Sequence, residues 1–174
     1  MSLKTTSNHM NKLLSLILLT PLTSLASPQD TKTEITPWNE TFNFALTATY
    51  HDINQLDKKW RETWTSEVVR TSRDRATLQF SYNAGDGRKA CNSAALPSNI
   101  ELTVSGNKVI FSAWCDKSTA SEFLKFVPLN SMSEATVIEA FKNNPNVVTF
   151  ISSSIPELNF QLSTDNFKTI WDGQ

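Results

Sequence analysis

Between Asn99 and Cys115 the sequence reads NIELTVSGNKVIFSAWC, and this stretch constrains the fold more than any other. Apolar residues recur at every second position on both sides of Gly106-Asn107. That period is the signature of a strand with one buried face. A two-residue loop with glycine first suits a type II′ turn. Centring the turn there sets Ser105 opposite Lys108, Val104 opposite Val109, Leu102 opposite Phe111 and Ile100 opposite Ala113. Apolar then meets apolar on one face, so turn chemistry and patterning agree on an antiparallel hairpin. By the same alternation Trp114 points away from the Phe111 side.

The hairpin ends at Cys115, and the only other cysteine is Cys91. Whether these are reactive thiols or a staple depends on compartment. The N-terminal MNKLLSLILLTPLTSLASPQD places Lys12 before the apolar run Leu13–Leu19, then Pro21, then Ser24-Leu25-Ala26. This is the layout of a secretory signal, with cleavage expected after Ala26. Met10 offers a second possible start for it. The apolar run is shorter than the roughly 20 residues of a membrane span. No cysteine stands directly after the cleavage point, where Ser27 follows Ala26, so a lipoprotein anchor is not indicated. Export to the periplasm or outside the cell implies oxidising conditions, where a cysteine pair joins. A reactive thiolate would need a nearby cation or helix N-terminus, and Cys115 ends a strand instead. A Cys91–Cys115 disulfide is therefore expected, closing a loop around the hairpin.

Residues 27–40 are polar and carry Pro28 and Pro37, which reads as a flexible lead-in to a domain over 41–174. TFNFALTATY alternates as a strand. In DINQLDKKWRETW, Ile53, Leu56, Trp60 and Trp64 share a face at 100° per residue, which predicts a helix over about 53–66, with Asp52 and Gln55 as its capping box. Ala76, Leu78, Phe80 and Tyr82 alternate as another strand. EFLKFVPL reads as a strand that Pro128 ends or confines to an edge. NSMSEATVIEAFKNNP predicts a helix capped by Ser131 and Glu134, with Val137, Ile138 and Phe141 inward and Asn144-Pro145 as its stop. VVTFI and LNFQLS are two more strands, and TDNFKTIWDG a short terminal helix docking Phe167, Ile170 and Trp171. The expected fold is a single α+β domain: a mainly antiparallel sheet of about six to seven strands, two to three helices and one disulfide.

Several chemistries find no residues to run them. After signal removal His51 is the sole histidine, at a predicted turn. Ser-His or Cys-His catalysis would rest on it alone. One histidine and two distant cysteines do not make a zinc set, and no calcium loop, phosphate loop or dinucleotide fingerprint occurs. No metal, cofactor or catalytic residue is assigned, and the reading leans against an enzyme. A carboxylate-pair hydrolase would have Glu101, Asp116, Glu122 and Asp165 available. Loss of Lys4 and Lys12 with the signal leaves 14 basic against 17 acidic residues, a net charge of −3 that does not suit a general nucleic-acid binder.

Candidate binding residues are aromatic and basic. Trp60 and Trp64 form either an exposed ridge for a partner or the inner stripe of their element. Arg70, Arg73 and Arg75, with Arg88 and Lys89, flank one strand and form either an anion-facing patch or a solvated edge. Trp114 either covers the far face of the sheet or stays exposed as a contact. Asn39-Glu40-Thr41 is a lone glycosylation sequon, relevant only in a eukaryotic secretory pathway. The resulting expectation is an exported, non-enzymatic binding module of the bacterial envelope, an inhibitor, immunity or accessory protein whose partner is another protein. The alternatives are the carboxylate hydrolase and a secreted factor that binds anionic lipid or a host target.

Overall fold

The computed structural model describes residues 31–53, 58–71, 75–85, 90–91, 97–118 and 121–174, with 52, 53 and 58–60 described by backbone alone. The signal-like segment, Arg73, Arg88 and Lys89 lie outside these residues. The strands are β1 (Thr31–Asn39), β2 (Phe44–Ile53), β3 (Lys58–Arg70), β4 (Ala76–Asn83), β5 (Asn99–Val104), β6 (Asn107–Asp116), β7 (Phe123–Pro128), β8 (Val147–Ile151) and β9 (Phe160–Ser163). The helices are α1 (Ser131–Asn143) and α2 (Phe167–Asp172), with a 3-10 turn at Pro156–Leu158.

The nine strands of the described residues join one antiparallel sheet in the order β1-β2-β3-β4-β7-β6-β5-β8-β9. The chain meanders through β1–β4, crosses to β5, and meanders back so that β7 lies beside β4. Helix α1 then returns it to β8, next to β5. The sheet curls into a nearly closed barrel, more strand-rich than the expected six to seven strands.

Two segments account for the difference. Lys58–Arg70 is a strand, not a helix, and its whole length pairs with β2, β4 or both. The Trp60–Trp64 spacing of four fits a helical face and a strand face equally well. Thr63, Thr65, Val68 and Val69 add β-branched weight to the strand. The inward positions include Glu62 and Ser66, which hid the alternation. Asp52 belongs to β2; Gln55 lies outside the described residues. The second segment is the lead-in, which is largely β1. Pro37 had argued against a strand, but it sits where the β1–β2 register shifts between Thr36 and Asn39. A bulge tolerates proline because ladder bonding is already interrupted.

The β5–β6 hairpin forms one step away from the expected register. Val104 faces Asn107, Leu102 faces Val109 and Ile100 faces Phe111. The turn residues are Ser105 (φ 45°) and Gly106 (φ 91°), both left-handed as in a type I′ turn. The partner of each residue moves by two positions, which keeps every side chain on its expected face. At the start of α1 the cap is Asn130, whose side chain accepts from the Ser133 N–H at 2.9 Å, and not Ser131. Glu134 is thereby released for other partners.

The barrel interior is filled by aromatic rings. Phe80 stacks on Phe126 at 5.3 Å, Phe111 meets both edge-on, and Phe150 stacks on Phe160 at 4.5 Å. Trp64 lies between Tyr82 and Phe160. Each such ring contributes about 1.5–3 kcal/mol by leaving water. Helices α1 and α2 bury Val137, Phe141, Phe167 and Ile170 around Trp38.

The barrel closes through a seam of donors from β1–β3 into carbonyls along one stretch of chain. The Trp64 indole donates to Glu157 O (2.8 Å), the Thr47 hydroxyl to Gln161 O, the Trp38 indole to Ser163 O (2.9 Å) and the Trp38 N–H to Asp165 O (3.0 Å). Side chains thus do at β9 what a ladder does elsewhere. The Cys91–Cys115 disulfide is formed, with Cα atoms 6.0 Å apart, and ties the segment before β5 to the end of β6. In the chain-entropy model its closure is worth about 3 kcal/mol.

Candidate functional site

The outer face of β6 and β7 carries the most distinctive surface. Alternation sends Val109, Phe111 and Ala113 inward, so Ile110, Ser112 and Trp114 point out. Register sets Ser112 opposite Val127 and Trp114 opposite Lys125. Leu129 follows β7 and donates its N–H to Ile110 O at 3.0 Å, which brings it beside Ile110. Met132 lies in the first turn of α1, two residues past the cap. Ile110, Trp114, Leu129 and Met132 are all large, apolar and exposed, Met132 at 79% and Trp114 at 39%.

Ion pairs edge this strip. Lys125 Nζ lies 2.8 Å from Asp116 beside Trp114, and Lys108 Nζ lies 2.9 Å from Glu101, which is opposite Ile110. The Lys125 ammonium, together with the hydroxyl and N–H of Ser118, holds the Asp116 carboxyl well below the usual carboxylate range. Hydrogen bonding to Glu101 raises the Lys108 pKa. The charges along the strip are thus matched locally, and Ser112 with Val127 opposite it lies between Ile110 and Trp114.

A cleft of about 400 Å³ adjoins the strip at Leu129. Its floor is Glu134, which is buried on α1 and accepts from the Arg75 guanidinium and from Thr77 Oγ1 (2.6 Å). These bonds compensate a carboxylate that would otherwise be costly to bury.

A second polar group lies on the inner face where β2, β3 and β4 meet. His51 Nε2 is 3.3 Å from Glu62 Oε2, and Tyr82 OH donates to Glu62 Oε1 at 2.9 Å. Behind it, Gly85 (φ 75°) packs against the Arg61 carbonyl so closely that a Cβ would collide with it.

The residues singled out from sequence are dispersed. Trp64 is a core residue bonded at the seam. The Trp60 backbone pairs with His51, and its side chain lies outside the described residues. Arg70 is exposed at the end of β3, and Arg75 is committed to Glu134 although its side chain remains 62% exposed. Of the carboxylates, Glu101, Asp116 and Glu122 each have a separate lysine within ion-pair distance, Lys108, Lys125 and Lys117. Asp165 lies between β9 and α2.

Among the described residues no group of three His, Cys, Asp or Glu converges as a metal site. Nor is any helix among them long and apolar enough to cross a membrane. Trp114 was legible from alternation along β6, and Ile110, four residues before it on the same face, was not singled out. Leu129, Met132, Glu134 and Glu62 were missed, since each owes its place to contacts between elements distant in sequence. Comparison of the chain with protein-family models, characterised proteins and solved structures finds no match.

Proposed function

We propose that this chain is an exported, non-enzymatic binding module that acts through protein–protein contact, with the Ile110–Trp114–Leu129–Met132 face as its contact surface. The observation that carries the reading is this strip of exposed large apolar side chains on a barrel whose interior is already packed. Trp and Met are enriched at the centres of interfaces, where rim charges exclude water rather than supply affinity. The partner chemistry that fits is a protein face with an apolar centre. The filled interior favours this over carriage of a small molecule inside the barrel. The separately paired carboxylates lend little support to a hydrolase.

The test compares Trp114→Ser and Met132→Ser with Phe42→Ser, which removes another exposed large apolar side chain on a different turn. Tagged protein is recovered from its native compartment and its stoichiometric partner quantified. Loss of that partner in the first two variants and retention in the third is the expected result. Equal retention in all three, or binding that instead follows anionic vesicles, would overturn the proposal.

A further inference from the structure

We infer that two copies of this chain associate edge to edge through β1, antiparallel and centred on Thr33, so that Lys32 of each copy faces Glu34 of the other. This does not depend on the contact face proposed above.

The barrel has two sheet edges, and they differ. The β9 edge is engaged by the seam, with Gln161 O and Ser163 O taken by Thr47 and Trp38. Strand β1 pairs with β2 alone among the described residues, and Thr31–Pro37 is exposed throughout. An unpaired edge of this length is a template for another strand.

The geometry of β1 says which groups that edge offers. Thr36 Oγ1 bonds both the N–H (3.1 Å) and the C=O (2.9 Å) of Leu46, its partner in register. Leu46 therefore directs its backbone groups toward β1. Successive residues of a strand alternate sides, so Ala48 and Tyr50 do the same, and their partners Glu34 and Lys32 bond inward to β2. Thr31, Thr33 and Ile35 are left with N–H and C=O pointing to the free edge. None is proline, and the bulge at Pro37 ends the run.

Charge then selects the partner and its register. In a two-fold antiparallel pairing centred on Thr33, Thr31 faces Ile35 and Lys32 faces Glu34, twice over. The backbone groups meet in the hydrogen-bonding pairs, and the charged residues meet in the closer non-hydrogen-bonded pairs. Centring on Lys32 or on Glu34 would oppose like charges. Within one chain Lys32 Nζ and Glu34 are already 2.6 Å apart on the outer face, so pairing joins two ion pairs into a four-charge cluster. Among the described residues each copy has one open edge, so the assembly closes at two and does not propagate.

The test uses protein recovered from expression of the full-length sequence and reads mass by sedimentation over a concentration series up to the solubility limit. Wild type is expected to show a concentration-dependent dimer. Lys32→Glu and Glu34→Lys should each weaken it by about tenfold or more, since each opposes like charges across the two-fold. The two single variants mixed in equal amounts should recover dimers, because every facing pair is then Lys with Glu. The double exchange Lys32→Glu/Glu34→Lys should behave as wild type. A wild-type monomer throughout, as when residues 1–30 of the same chain occupy the edge, would overturn the inference. So would a dimer indifferent to both charge reversals, a dimer lost on Trp114→Ser instead, or single variants that stay monomeric when mixed.

Discussion

Trp38 sits where β1 breaks register, and its ring is buried against Phe141 and Phe167 while its indole N–H reaches Ser163 O. Replacing it with Phe keeps most of the apolar packing and removes that donor. Ser163 is buried, so its carbonyl would lose a partner that water cannot replace. Trp38→Phe should cost about 1–3 kcal/mol, read as a lower urea midpoint at unchanged slope. Asp116 provides a test that turns on charge. Its pKa is depressed when folded, so what its bonds contribute is present above the ordinary value of 3.8 and is lost only as pH falls through the depressed one. NMR titration of its carboxyl should therefore find it ionised well below pH 3.8, and Lys125→Met should move its titration back up. A tryptophan closing a polar stretch signals an anchor to the body but not its partners, and Asp116 owes its state to a lysine on another strand.

At the scale of elements, the sequence was most legible where local chemistry and period agreed. The β5–β6 hairpin, β4, β7, β8, β9 and both helices lie close to where alternation, turns and stops placed them. The misreading of Lys58–Arg70 has a physical cause: a four-residue tryptophan spacing satisfies both periods, and long-range pairing on two sides decides between them. Strand β1 was hidden for the opposite reason, since an exposed edge strand needs no apolar face. Helix α1 shows how far a local rule reaches. Ser131 and Glu134 have capping-box spacing, yet Asn130 caps the helix and Glu134 serves Arg75 and Thr77 across the cleft. Asn130→Ala should therefore lower stability by about 1 kcal/mol, whereas Ser131→Ala should change it by less than about 0.5 kcal/mol, both by thermal or urea unfolding.

Across the whole molecule, a barrel closed by side-chain donors and filled with rings leaves the proposed recognition to its outer surface. The disulfide and the seam hold that surface in place: one clasps the end of β6, the other fixes β9 against β1–β3. The α+β class, the antiparallel sheet and the disulfide were legible in the sequence, but the curl that closes the sheet depends on tryptophans acting across it. The proposed contact strip was only half legible, since Leu129 reaches Ile110 through a backbone bond to β6 and Met132 follows three residues later in α1. The central claim is that this strip is covered by a partner where the protein works. Hydroxyl-radical footprinting tests it directly, with oxidation of Met132 and Trp114 compared between purified protein and protein in its native compartment. Buried Trp64 serves as the internal reference. Oxidation of Met132 and Trp114 that falls several-fold in the native compartment, with Trp64 unchanged, is the predicted result; equal oxidation of the strip in both settings would contradict it.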